Sequence, residues 1–159
     1  MEPHEAFKTL GMFPAPDGNS EEQTRYLKEA TEEFAEKLKG VSHKLPNDVW
    51  IATQTTIMKK LEYPMRATTL SRDQWSKVMA PLWQTALPHC GISRNFPRDV
   101  LYGPMKYQGM GAKDPWILQG LKHLEVLWEK TERNDVTGKL FSAEFEESGN
   151  RWLLDRPQV

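Results

Sequence analysis

The sequence has a single cysteine, Cys90. It can close no internal disulfide and supply no cysteine-rich zinc site, so a reducing intracellular setting, cytoplasmic or nuclear, is expected. No apolar run approaches the roughly 20 residues that a membrane helix needs. The first residues, MEPHEAFK, have no apolar signal core, so secretion is not expected. There is no adjacent Asp-Asp pair and no Gly-x-Ser-x-Gly elbow. Gly109-Met-Gly111 lacks the Gly-Lys-Ser/Thr ending of a phosphate loop, and Asp114 stands where a dinucleotide fingerprint needs a glycine. His4, His43, His89 and His123 are far apart, and no pair falls at helical ligand spacing. His89 and Cys90 are adjacent, but catalytic pairs are built from distant segments. No two carboxylates share an apolar setting of the kind acid–base chemistry needs. The chain is therefore not expected to be an enzyme, and no metal or cofactor is expected.

What is present describes a helical globular chain. Its 159 residues are enough for one domain with a real core. Charge is segregated along it. Residues 1–42 carry a net −4, residues 43–113 a net +6 and residues 114–159 a net −3. A basic middle between acidic ends fits a polyanion footprint, and it equally fits helices with solvated faces.

Taken in order, Glu5 to Phe13 reads as a short strand or hairpin, closed by the Asp17-Gly18 turn. Ser20-Glu-Glu-Gln23 has the form of a capping box. Leu27, Ala30, Phe34, Leu38 and Val41 then predict an amphipathic helix stopping near Gly40. Pro46-Asn47-Asp48 opens a second helix, with Trp50, Ile51, Ile57, Met58 and Leu61 on its buried side and Tyr63-Pro64 at its end. Leu70-Ser71-Arg-Asp-Gln74-Trp75 combines a capping box with an apolar staple. Pro81 lies inside the helix that follows, so a kink or break is expected near residues 77–80. Pro97 opens a one-turn helix through Leu101. Asp114-Pro115 is a cap and first position for a helix to about Glu132, with Ile117, Leu121, Leu124 and Trp128 as its buried stripe. Gly120 inside it implies close approach of another backbone. A last helix is expected from Asp135 or Thr137 through Phe141 and Phe145, then a stop at Ser148-Gly149-Asn150. Arg151-Trp-Leu-Leu154 reads as a short strand or a docked tail.

The expected architecture is mainly α: about five helices in an irregular bundle with a short N-terminal strand or hairpin. Residues 1–19 form the strand and turn segment, 20–147 the helical domain and 148–159 the tail.

One set of motifs has a familiar order. Phe7-Lys-Thr-Leu-Gly11 and Ala15-Pro-Asp-Gly-Asn19 come first. Leu61-Glu-Tyr-Pro64, Thr68-Thr-Leu70, Gly91-Ile-Ser-Arg94 and Pro97-Arg98 follow. Then come Tyr102-Gly-Pro104, Tyr107-Gln-Gly-Met-Gly111, Gln119-Gly120, Thr137-Gly138 and Glu146-Glu-Ser-Gly149. From about Phe7 to Leu154 this resembles the region after the catalytic palm, thumb and following segment, of reverse transcriptases from non-LTR-like mobile elements. The paired aspartates of the palm are missing here. The resemblance therefore implies a non-catalytic fragment that contacts RNA or RNA–DNA duplex along its backbone, without base specificity. The residues of the basic middle that would do so are Lys59, Lys60, Arg66, Arg72, Arg94, Arg98, Lys106 and Lys113, with Tyr107 as a stacking ring. The alternative is a helical protein–protein interaction module, or an orphan fragment without activity of its own.

Overall fold

The structure, a computed structural model, describes residues 12–13, 18–40, 45–132, 136, 138–140 and 143–144. Among the described residues six α-helices have defined bounds: α1 (Glu21–Gly40), α2 (Pro46–Ala52), α3 (Met58–Glu62), α4 (Arg72–His89), α5 (Arg98–Tyr102) and α6 (Pro115–Thr131). A π turn (Thr53–Ile57) joins α2 to α3, and a 3-10 turn (Tyr63–Arg66) follows α3. The mainly helical expectation holds. Of the expected N-terminal strand, only Met12 and Phe13 are described; no strand is formed among the described residues. Backbone at residues 136, 138–140 and 143–144 is helical, whereas Asp135, Thr137, Phe141, Phe145 and the segment 145–159 lie outside the described residues. Two compact units divide the chain after Gly120, and the first holds the core. Among the described residues no helix is long and apolar enough to cross a membrane.

In the first unit, α1 and α4 form the main pair. α1 turns Leu27, Ala30, Ala35 and Leu38 inward, and α4 turns Trp75, Val78, Met79, Leu82, Trp83, Ala86 and Leu87. The opposite face of α1 carries exposed Lys–Glu and Arg–Glu pairs one turn apart, which add only tenths of a kcal/mol each. Thr31 joins the two helices. Fully buried, its hydroxyl lies 2.7 Å from the Val78 carbonyl of α4 and 2.8 Å from the Lys28 carbonyl of its own helix. Pro81 brings no amide to α4, which leaves the Lys77 carbonyl four residues earlier without its helical donor, and the Thr31 contact falls on the neighbouring Val78 carbonyl. The helix continues through Pro81 without the expected break. Thr31→Val, which keeps the shape and removes the hydroxyl, is expected to lower stability by about 1–2 kcal/mol. Urea titration of both proteins measures it.

The Ser71–Gln74 capping box forms with both of its bonds. The Gln74 amide donates to Ser71 Oγ at 3.2 Å, and the Ser71 amide donates to Gln74 Oε1 at 2.8 Å. The Ser20–Gln23 box does not form. Gln23 Oε1 instead accepts the Phe13 amide at 2.9 Å, and Asn19 Oδ1 takes the Glu21 amide at 2.9 Å. Ser20 Oγ is left to accept from Gln74 Nε2 at 3.0 Å, tying the start of α1 to the start of α4.

The second predicted helix differs in its register. Val49, Thr53, Ile57 and Leu61 are all buried, recurring every four residues. In a regular α-helix such a row drifts by about 40° at each step. The wider π turn absorbs that drift, closing through a Met58 amide to Thr53 carbonyl bond. Trp50 is consequently only half-buried and Ile51 is exposed, against the 3.6-residue reading. Tyr63 also stays helical before Pro64; the chain leaves helical geometry only at Ala67 (φ −121°).

The stripe expected to be buried on α6 is not. Ile117, Leu121, Leu124 and Trp128 are 54%, 57%, 60% and 67% exposed. Pro115, Leu118 and Gln119 face the core of the first unit instead. The cause is Gln119, which is 4% exposed. Its Oε1 accepts the Leu70 amide and the Trp75 indole N–H, each at 3.0 Å, while Nε2 donates to the Leu70 carbonyl at 3.0 Å. These three bonds fix the rotation of the first turns of α6. Gly120 is exposed, with nothing within 4 Å of a Cβ built on it, so no backbone approaches it. Gly120→Ala is therefore expected to stabilise by about 0.5–1 kcal/mol, visible as a higher melting temperature.

Close backbone approach occurs in the preceding loop. The Met110 amide reaches the Val100 carbonyl (2.9 Å), the Gly111 amide the Gly103 carbonyl (2.9 Å) and the Ala112 amide the Leu101 carbonyl (3.0 Å). The loop is thus stitched along α5. A Cβ on Gly109 would sit 2.1 Å from the Gly103 carbonyl oxygen.

Candidate functional site

The nine residues expected to contact nucleic acid separate into several places. Lys59 and Lys113 meet at one carboxylate, Glu62, at 3.0 Å and 3.8 Å. Lys60 leans toward α1, 3.9 Å from Glu33. The ordinary carboxylate pKa of Glu33 is lowered there, first by its hydrogen bond and charge contact with Lys37 and then by Lys60. Arg66 is exposed on the 3-10 turn. Arg94 lines a shallow depression with Lys39 and His89, against the last turns of α4. Lys106 and Tyr107 are exposed, with the ammonium 5.7 Å from the tyrosine ring centre. Only Arg72 and Arg98 come together in a defined groove. Arg72 begins α4 and Arg94 follows its other end, and the 18 residues of the helix make it roughly 27 Å long. The expected contacts therefore do not form one cluster.

The groove that takes Arg72 and Arg98 has a volume of about 510 Å³ and lies between the first half of α4, α5 and the start of α6. Each wall follows from local sequence. The Ser71 cap starts α4 so that Arg72 falls on its first turn. Pro97 starts α5 with Arg98 and Asp99. Asp114 caps α6, its Oδ1 accepting the Trp116 amide at 2.9 Å, and sets Trp116 and Ile117 on the opposite rim. Arg72 stands 5.8 Å from the Trp116 ring centre, a cation–π distance. The floor is aromatic and apolar. Trp83 donates its indole N–H to the Tyr102 hydroxyl at 2.9 Å, and the two rings meet edge to face at 6.3 Å.

Two guanidinium and two carboxylate groups line the groove, Arg72 and Arg98 with Asp99 and Asp114, and none of the four is in an ion pair among the described residues. Their formal charges cancel, so the groove is no anion funnel. Sequence reasoning had found the arginines but not Trp116, Asp99 and Asp114, which become neighbours only through the packing of α6 on α4. A larger depression, about 650 Å³, lies between α1 and α4, but charged and polar side chains line most of it and none is aromatic.

Burial pushes the Tyr102 hydroxyl above the ordinary tyrosine range. The Trp83 bond opposes this, the Asp114 carboxylate adds to it and the Arg98 guanidinium opposes it. The protonated form is thus favoured by folding. That contribution is complete below the unfolded tyrosine pKa, about 10, and is lost as pH rises through the higher folded value. Alkaline titration followed by phenolate absorbance is expected to show one of the four tyrosines ionising last, with that component missing in Tyr102→Phe.

Among the described residues no three His, Cys, Asp or Glu side chains are grouped to hold a metal ion. Cys90 is half-buried, its thiol 3.5 Å from the Pro46 carbonyl and its pKa raised by burial, the reverse of an activated nucleophile. No family model, no curated protein and no solved structure matches the chain.

Proposed function

We propose that the chain is a non-catalytic docking module and that the α4–α5–α6 groove receives a segment of a protein partner. One observation carries this: four ionic groups of both signs, none in an ion pair among the described residues, frame an aromatic floor. Trp, Tyr and Arg dominate the binding energy of protein interfaces, and Met is enriched in them. Trp116 is 45% exposed and Ile117 54%, so apolar area is on offer at the rim. A mixed-charge groove selects a mixed-charge ligand, because an unpaired buried charge is costly.

Selection of displayed random peptides on the immobilised protein tests this. The expected result is enrichment of peptides with an apolar anchor flanked by an acid and a base. Their affinity should fall at least tenfold on Trp116→Ala. Absence of enrichment, or peptides indifferent to Trp116→Ala, overturns the reading.

A second reading is the one implied by resemblance: a remnant of a reverse transcriptase thumb region that contacts nucleic-acid backbone. It is favoured by Lys59 and Lys113 sharing the single carboxylate of Glu62, which leaves a net positive charge at that spot. Binding to a short RNA–DNA duplex should then weaken steeply with salt, and Lys59→Ala and Lys113→Ala should each reduce the slope by about one. Binding that is absent or insensitive to salt removes this reading.

A further inference from the structure

At the other end of α4 the charges do not cancel. The depression there, about 300 Å³, is lined by Lys39 of α1, by Gln84, Thr85, Pro88 and His89 of α4, and by Arg94. None of these is a carboxylate. Glu36, on α1, pairs with Lys39 at 2.5 Å and offsets part of its charge. The Arg94 guanidinium has no ion pair among the described residues.

Thr85 is the second observation. It is 9% exposed, yet its hydroxyl has no hydrogen-bond partner among the described residues. Other helical threonines turn the hydroxyl back on their own chain: Thr24 to the Ser20 carbonyl, Thr31 to Lys28, Thr53 to Val49 and Thr55 to Ile51, at 2.7–2.8 Å. A buried hydroxyl without a partner is costly, and this one lines a depression ringed with cations. Helix ends alone do not account for the set. Lys39 and His89 stand in last turns, where cations suit the negative end of the helix dipole. Arg94 lies beyond the helix and Thr85 a turn inside it. The dipole of α4 is itself blunted, because the amides of Cys90, Gly91 and Ile92 close on the carbonyls of Ala86, Pro88 and Leu87.

We propose that this depression binds a phosphomonoester group, either on a small molecule or as free phosphate. Arg94 takes two of its oxygens in the fork of the guanidinium. Lys39 and His89 flank it, and the Thr85 hydroxyl and Gln84 amide donate to the remaining oxygens. The two permanent charges of Lys39 and Arg94 match a monoester, which carries roughly −1.5 to −2 at neutral pH. The volume is at the small end of ligand sites, so a small molecule fits better than a chain. A nucleic-acid strand would need cations spaced along a track, and Arg72 stands at the far end of α4. The proposal is independent of the docking groove.

Titration of the full chain, labelled with 15N, tests it. Inorganic phosphate, phenyl phosphate and dimethyl phosphate are added in turn at matched ionic strength. The first two should shift the Thr85, His89 and Arg94 amide resonances with saturation, and the diester should bind at least tenfold more weakly. Tighter binding of phenyl phosphate than of inorganic phosphate supports an esterified ligand, and the reverse supports free phosphate. Arg94→Gln should weaken binding at least tenfold. Thr85→Val, which keeps the buried shape, should weaken it at least threefold. Without phosphate that variant should melt within a degree or two of wild type, because its hydroxyl has no bond to lose. A lower melting temperature with unchanged phosphate affinity would show that the hydroxyl serves the fold, and would overturn the assignment. So would the absence of saturable shifts, or dimethyl phosphate or a short oligonucleotide binding there as well as the monoester.

Discussion

Gln119→Ala will lower the stability of the fold by about 3–5 kcal/mol, the largest loss expected from any single polar side chain described here. The side chain serves three buried partners: the amide and carbonyl of Leu70, and the indole N–H of Trp75. Leu70 and Trp75 are 1% and 2% exposed, so water cannot take over. Each orphaned group costs about 1–3 kcal/mol, and the cavity adds to it. Gln119→Leu fills the space and leaves the same groups orphaned. It should therefore recover only the cavity part of the loss. Thermal melts of the three proteins give the comparison, with a fall of roughly 10 °C for the alanine variant. The same change should release Trp116 from its place over Arg72, because Gln119 fixes the rotation of that turn. A melting temperature within a degree or two of wild type would contradict the account.

Gly109→Ala is expected to rival it, with a loss of about 3 kcal/mol or more. The new methyl group would lie 2.1 Å from the Gly103 carbonyl oxygen and 2.2 Å from its carbon. Both are backbone atoms, and that same oxygen accepts the Gly111 amide. No side chain can swing aside, so the loop must separate from α5 and surrender its ladder of amide bonds. Gly103→Ala should cost less, since its nearest neighbour, the Asp99 carbonyl oxygen, is 2.9 Å away. Gly111→Ala should cost about 1–2 kcal/mol through its positive φ of 67°. Gly120→Ala, on an open helical face, serves as the contrast. Guanidinium titrations of the four variants should return that order.

Features set by neighbours in sequence were legible in the sequence. The Ser71–Gln74 box, the Asp114-Pro115 start, the single turn after Pro97 and the long amphipathic α1 all depend on residues within a few positions of one another. The rotation of α6 was not legible, because Gln119 is held by Leu70 and Trp75, 49 and 44 residues away. An apolar stripe at helical spacing says that a helix has two faces; it does not say which one a distant hydrogen bond will choose. Gln23 gave the same lesson on a smaller scale, its carbonyl drawn to the Phe13 amide rather than back to Ser20. The groove was half legible. Arg72 and Arg98 stood out as cations, whereas Trp116, Asp99 and Asp114 had local roles that masked their common setting. Gly103 and Gly109 are six residues apart, and only the structure shows that their backbones touch.

The π turn at Thr53–Ile57 has a consequence for how this chain tolerates change in length. Such a turn is an α-helix carrying one residue too many. Deleting a residue elsewhere in a helix swings everything beyond it by about 100° and turns its inward face out. Deleting one between Thr53 and Ile57 would instead return the segment to ordinary winding, with Val49 and Leu61 still facing the same way. The segment thus holds a spare position, a point where codon loss is absorbed by the helix rather than passed to the core.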